Sequence, residues 1–122
     1  MEKKILLIED EKILVKMYTE TFTRAGFEVY NVETAEQGIE TAKKINPDIV
    51  LLDILLPGSN GLEFLRKTKD DKSLSTIPVL AFSNYTDPAT EEEALKLGAK
   101  AYIIKADHDP EDTLEIIKKY IR

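Results

Sequence analysis

Four short apolar runs, each ending abruptly in a polar side chain, constrain this 122-residue chain more than any other feature. ILLI at 5–8 leads into Glu9 and Asp10, IVLL at 49–52 into Asp53, VLAF at 79–82 into Ser83, and YII at 102–104 into Lys105. Uninterrupted runs of Ile, Val and Leu read as strands buried on both faces, the environment of a parallel sheet. The carboxyl ends of such strands lie along one edge, and ligands bind there. The pattern therefore aims two or three carboxylates, a hydroxyl and an ammonium at one small site, an arrangement suited to a divalent cation and a phosphoryl group.

Amphipathic stretches alternate with the apolar runs, as in βαβ units. Residues 11–25 place Leu14, Tyr18, Phe22 and Ala25 on one helical stripe, which Gly26 ends. A second strand is predicted at 27–32. Thr34 opens the next helix with Gln37 completing a capping box; Ile39, Ala42 and Ile45 form its inward stripe and Asn46-Pro47 closes it. The stretch 56–61 is dense in turn formers, Pro57, Gly58 and Gly61 among them, and Asn60 with Glu63 caps a third helix carrying Leu62 and Leu65. The polar residues 69–73 read as a surface connection. Asp87-Pro88 and Asp109-Pro110 start a fourth and a fifth helix. Gly98 stops the former, and Leu114, Ile117 and Ile121 face inward on the latter. Strict alternation with right-handed crossovers predicts an α/β fold: a doubly wound (βα)5 three-layer sandwich with a five-stranded parallel sheet of order 2-1-3-4-5, flavodoxin-like. Strands one and three then lie side by side, which brings Asp10 and Asp53 together.

The length fits one domain, expected to span 1–122. With 17 basic against 23 acidic side chains the net charge is −6, so no basic face is available to follow nucleic-acid phosphates. The absence of cysteine excludes disulfides and thiol chemistry. The N-terminal apolar run is too short for a signal peptide or a membrane span, and a cytoplasmic location is expected.

Mg²⁺, or Mn²⁺ in its place, takes oxygen ligands, and Asp10 and Asp53 supply carboxylates, with Glu9 acting through water or from behind. A bound cation offsets the mutual repulsion of these acids, leaving Asp53 able to attack phosphorus as a nucleophile. Lys105 and Ser83 can each hold a phosphoryl oxygen. The ordered set of Glu9-Asp10, Asp53 with Pro57 and Gly61, Ser83, Tyr102 and Lys105 resembles the CheY-like receiver domain of two-component response regulators, over essentially the whole chain. The resemblance implies a phosphoprotein with an aspartyl phosphate at Asp53. It implies metal ligation by Asp10, Asp53 and the Leu55 backbone carbonyl, with Glu9 through water, and phosphoryl contacts from Ser83 and Lys105. It also implies a switch in which Ser83 moves toward the phosphate and Tyr102 turns inward, read out on helix 4, strand 5 and helix 5.

Two positions depart from that pattern. Ala106 follows Lys105 where receivers usually have proline, and a trans peptide is expected there. Asn84 follows Ser83 where a small alanine is common, which places an amide near the phosphoryl entrance. The segment 100–102 lacks the acidic pair many DNA-binding regulators carry for dimerisation on the 4-5-5 face.

The expectation is a signalling switch in a phosphorelay rather than a turnover enzyme, with self-phosphorylation and slow autodephosphorylation as its own chemistry. Its partners would be a sensor histidine kinase or histidine phosphotransfer protein and a downstream protein target, with no nucleic acid and no membrane. It would be a monomer or a phosphorylation-dependent dimer. The start at Met1 favours a stand-alone receiver over a domain of a larger regulator. Two alternatives are a pseudo-receiver that binds proteins without phosphorylation, and an aspartate-nucleophile phosphohydrolase. Leu55 stands where the latter needs a second acid. His108, between Asp107 and Asp109, reads as a solvated loop residue.

Overall fold

The structure is a computed structural model that describes residues 2–56, 58–84 and 86–122. The turn expected at Pro57 and the Met1 start lie outside these residues. Five strands form the main sheet: β1 (Lys4–Ile8), β2 (Glu28–Val32), β3 (Ile49–Leu52), β4 (Val79–Ser83) and β5 (Ala101–Ile104). All four pairings are parallel and the order is β2-β1-β3-β4-β5, as the sequence predicts. Helices α1 (Lys12–Arg24), α2 (Ala35–Ile45), α3 (Gly61–Lys69) and α4 (Pro88–Lys96) fill the four crossovers, and α5 (Pro110–Tyr120) follows β5.

The central strands are apolar throughout because both faces are covered. Leu6, Ile8, Val50, Leu52, Val79 and Ala81 pack with α2, α3 and α4 through Ala42, Leu62, Phe64, Leu65 and Ala94. The alternate residues Ile5, Leu7, Ile49, Leu51, Leu80 and Phe82 meet Tyr18 and Phe22 of α1 and Leu114 and Ile117 of α5. The period of two thus gives one strand two cores.

Local chemistry sets the helix ends. Thr34 Oγ1 accepts from Gln37 N at 3.1 Å, while Gln37 Oε1 accepts from Glu33 N at 3.1 Å, one residue earlier than a standard capping box. Asn60 Oδ1 caps α3 at Leu62 N, and Asp109 Oδ1 caps α5 at Asp112 N. Asp87 precedes α4 as expected, but its carboxylate accepts from the Thr90 hydroxyl.

Several expectations change. Ala25 is exposed: α1 ends at Arg24, and Gly26, at φ +96°, turns the chain before Ala25 can join the stripe. The turn region after Asp53 folds back on itself, Leu55–Leu56 pairing antiparallel with Ser59–Asn60. Lys105–Asp107 forms a 3-10 turn. The polar connection after α3 is anchored by buried Leu74 and Ile77, and Asp71 Oδ1 accepts from both N and Oγ of Ser73. Glu92 and Glu93 are exposed, and Glu93 reaches across to Arg66 of α3 at 2.6 Å.

Candidate functional site

The parallel register delivers the chemistry. Ile8 pairs with Leu52, so Glu9 and Asp53 emerge side by side, and Asp53 N donates to Ile8 O at 2.9 Å. Ser83 pairs with Ile104, so Lys105 emerges one step beyond Ser83. Asp53, Leu55, Ser83, Asn84, Lys105 and Glu11 line one open cleft at this edge.

Glu9 and Asp53 are buried, at 2% and 6% exposed, and the Lys105 side chain is 8% exposed. Lys105 Nζ donates to Asp53 Oδ2 at 3.2 Å and makes a close ion pair with Glu9 Oε1. The other Glu9 oxygen, Oε2, accepts from the backbone N of Asp10 and of Glu11, both at 3.0 Å. Glu9 is therefore an acid engaged on both oxygens, holding Lys105 on one side and the start of α1 on the other. Asp53 Oδ1 accepts from Leu55 N at 3.2 Å. Asp10 is the more open member of the group.

Burial pushes the Asp53 carboxyl up from 3.8 to about 6; the Lys105 charge pulls it down and the Glu9 charge pushes it up further. Burial works against the Lys105 charge as well, but the hydrogen bond it donates to Glu9 and the charge of Asp53 outweigh it, so its pKa is raised. The ammonium thus stays charged, and the carboxylates gathered around it carry a surplus of negative charge.

That surplus is the test of whether a cation fits. Glu9, Asp10 and Asp53 each place a carboxylate oxygen within 4.8 Å of the others, a hard-oxygen donor set suited to Mg²⁺. The residues present fit the group.

Ser83 is buried at the end of β4 and borders the cleft. Tyr102 is partly buried against the core under α2, α3 and α4. It lies two register positions from Ser83, opposite Ala81. Asn84 uses its amide oxygen to accept from Ala106 N at 2.8 Å. No cis peptide occurs among the described residues, so the bond after Lys105 is trans. His108 is half-buried and closes the 3-10 turn, its N–H donating to Lys105 O at 3.4 Å.

Sequence reasoning treated two further residues only as core. Lys105 Nζ lies 5.2 Å from the Phe82 ring centroid, and Tyr18 meets that ring edge-on at 5.0 Å. An apolar run and a helical stripe carry no sign that their aromatics end up beneath a buried ammonium.

Gly61 has a steric role at this edge. A Cβ there would lie 2.5 Å from Asp53 O and 2.8 Å from Ile54 Cα, both backbone atoms that cannot swing aside. Gly61→Ala is expected to cost about 2 kcal/mol or more of folding stability and to displace Asp53. Denaturant melts, with amide shifts of residues 52–55, check this.

The whole chain carries further likenesses. The response regulator receiver domain family matches residues 5–118. The polar-differentiation response regulators DivK of Brucella ovis and Brucella melitensis are 31% identical over 121 residues, covering 99% of this chain and 98% of theirs. In fold it is similar to the chemotaxis response regulator CheY4 of Vibrio cholerae, with a TM-score of 0.90 at 23% identity over 99% of this chain and 100% of that one. A CheY-like receiver domain protein of Methanospirillum hungatei gives 0.90 at 28% identity over 98% and 93%. With its acidic site at the carboxyl edge of a 2-1-3-4-5 sheet, the chain belongs to the response regulator receiver domain family of two-component signalling.

Proposed function

We propose that residues 1–122 form a phosphoacceptor switch in which Asp53 receives a phosphoryl group from a phosphohistidine of a sensor kinase or histidine phosphotransfer protein. One observation carries this reading: Asp53 and Lys105, each just past the end of a different strand, meet at 3.2 Å inside an acidic cluster open to a cleft. Membership of the receiver family and the likeness to DivK support it.

In the transfer, an Asp53 carboxylate oxygen forms a bond to phosphorus as the donor's N–P bond breaks, and the departing imidazole takes up a proton. Lys105 already lies at the Asp53 carboxylate, where it can neutralise charge on a phosphoryl oxygen without travelling. The Ser83 hydroxyl would donate to a second oxygen. Asp10, Asp53 and the Leu55 carbonyl would hold Mg²⁺, with Glu9 acting through water; the ion supplies charge neutralisation for the incoming dianion. Glu9 also orients Lys105, a role its two engaged oxygens support.

The phosphorylated state would be signalled through Ser83 and Tyr102, which lie on adjacent strands, to the face formed by α4, β5 and α5. The output is contact with a downstream protein rather than substrate turnover. No helix among the described residues is long and apolar enough to cross a membrane, which is compatible with action in the cytoplasm.

Label transfer tests the partner class. Incubation with a ³²P-phosphorylated histidine phosphotransfer domain and Mg²⁺ should move label to this chain, and EDTA or Asp53→Asn should abolish it. Label that transfers to Asp53→Asn as fast as to the wild type would contradict the assignment.

A further inference from the structure

The geometry points to Asn84 as a positioning residue for Lys105, acting through the peptide that follows it. This inference rests on the phosphoacceptor reading and adds to it a part that lies outside the acidic cluster.

The β4–β5 ladder has its last pair at Ser83 and Ile104. Beyond that pair the backbones part, and Lys105 enters the 3-10 turn. The Ala106 N–H, directly after Lys105, lies where the ladder stops supplying an acceptor. Asn84 Oδ1 provides it at 2.8 Å. The side-chain amide therefore extends strand pairing by one step, across the mouth of the cleft that Asn84 and Lys105 both line. The carbonyl of the same peptide, Lys105 O, accepts from His108 N at 3.4 Å. The peptide after the Lys105 Cα is thus held at both its N–H and its carbonyl, while the Lys105 ammonium is held by Glu9 and Asp53.

Lys105 is a long side chain with much rotational freedom, so fixing its backbone narrows where the ammonium falls. Misplacing a catalytic charge by an ångström or less is enough to slow a reaction severalfold. Asn84 is exposed, so its replacement leaves the core untouched.

The test uses the full chain with Asn84→Ala and Asn84→Leu, which both lack the accepting oxygen but differ in bulk, and Asn84→Asp, which keeps it. Amide exchange at Ala106 is followed by NMR, and adduct formation with acetyl phosphate and Mg²⁺ by intact mass. In the wild type and Asn84→Asp the Ala106 amide is protected. In Asn84→Ala and Asn84→Leu its exchange quickens about tenfold, and both form adduct about five- to tenfold more slowly, the size of one lost neutral hydrogen bond. Opposite effects, with Asn84→Ala faster and Asn84→Leu slower than wild type, would make Asn84 a steric gate and overturn the positioning role. So would wild-type rates in both variants, or an unprotected Ala106 amide in the wild type. Failure of the wild type itself to form an adduct would instead remove the phosphoacceptor reading, and this inference with it.

Discussion

Asp53→Asn is expected to make the metal-free protein more stable at pH 7.5, by about 1–3 kcal/mol, while removing its ability to accept phosphate. Burial holds the Asp53 carboxyl at about 6 in the folded chain against an ordinary value of 3.8. The folded state therefore binds this proton more tightly than the unfolded state does. Below about pH 4 both states are protonated and the group imposes no penalty. As the pH rises through 6, the folded protein alone must give up a proton it favours, and stability falls. Each pKa unit is worth about 1.4 kcal/mol, which sets the upper end of the expected gain. Asparagine keeps an oxygen for Leu55 N–H and carries no charge to bury. The melting temperature should rise by roughly 5–10 °C at pH 7.5, with the difference vanishing near pH 4. Mg²⁺ should narrow the gap at pH 7.5 by stabilising the wild type more than the variant. Thermal melts across pH with and without Mg²⁺ measure both effects; a variant less stable than wild type at pH 7.5 would contradict the account.

Lys105→Met should do the opposite. The ammonium is the cation that Glu9, 2% exposed, and Asp53 share. Removing it leaves two buried acids facing one another with Asp10 nearby. Breaking a buried pair by deleting one partner costs about 3 kcal/mol, because the remaining charge stays desolvated. Methionine keeps the length and the contact with Phe82, so the loss reports charge rather than packing. The Asp53 carboxyl should titrate at still higher pH, having lost its largest lowering influence. Part of the stability should return on acidification, as the acids become neutral. The rate of adduct formation should fall about 100-fold or more, comparable to the loss of one preorganised donor at a charged transition state. Urea melts at pH 5 and 7.5, together with adduct kinetics, check this. Equal destabilisation at both pH values would point to lost packing instead.

Much of this was legible in the chain because burial on both faces leaves a plain trace. β1, β3 and β4 are uninterrupted apolar runs, so their ends, and the polar residues placed there, could be read directly. Asp53, Ser83 and Lys105 come together because the parallel register admits no other outcome once the order 2-1-3-4-5 is set. What escaped reading depends on pairs far apart in sequence or on elements too short to have a period. The two-residue ladder at Leu55–Leu56 and the 3-10 turn at Lys105–Asp107 fall in the second group. The clasp of Glu9 on Lys105 joins residues 96 positions apart. It is visible in neither segment alone, nor is the Asn84–Ala106 bond. Leu74 and Ile77 were hidden by polar neighbours, and Ala25 was drawn into a helix that ends one residue earlier.

Intact mass spectrometry after incubation with Mg²⁺ and acetyl phosphate, wild type beside Asp53→Asn, tests the central claim most directly. A single phosphoryl adduct is expected in the wild type, lost on chelation of the metal and absent from the variant. An adduct of equal yield in Asp53→Asn, or none in a folded wild type that also fails to take label from a phosphohistidine donor, would contradict the assignment of Asp53 as phosphoacceptor.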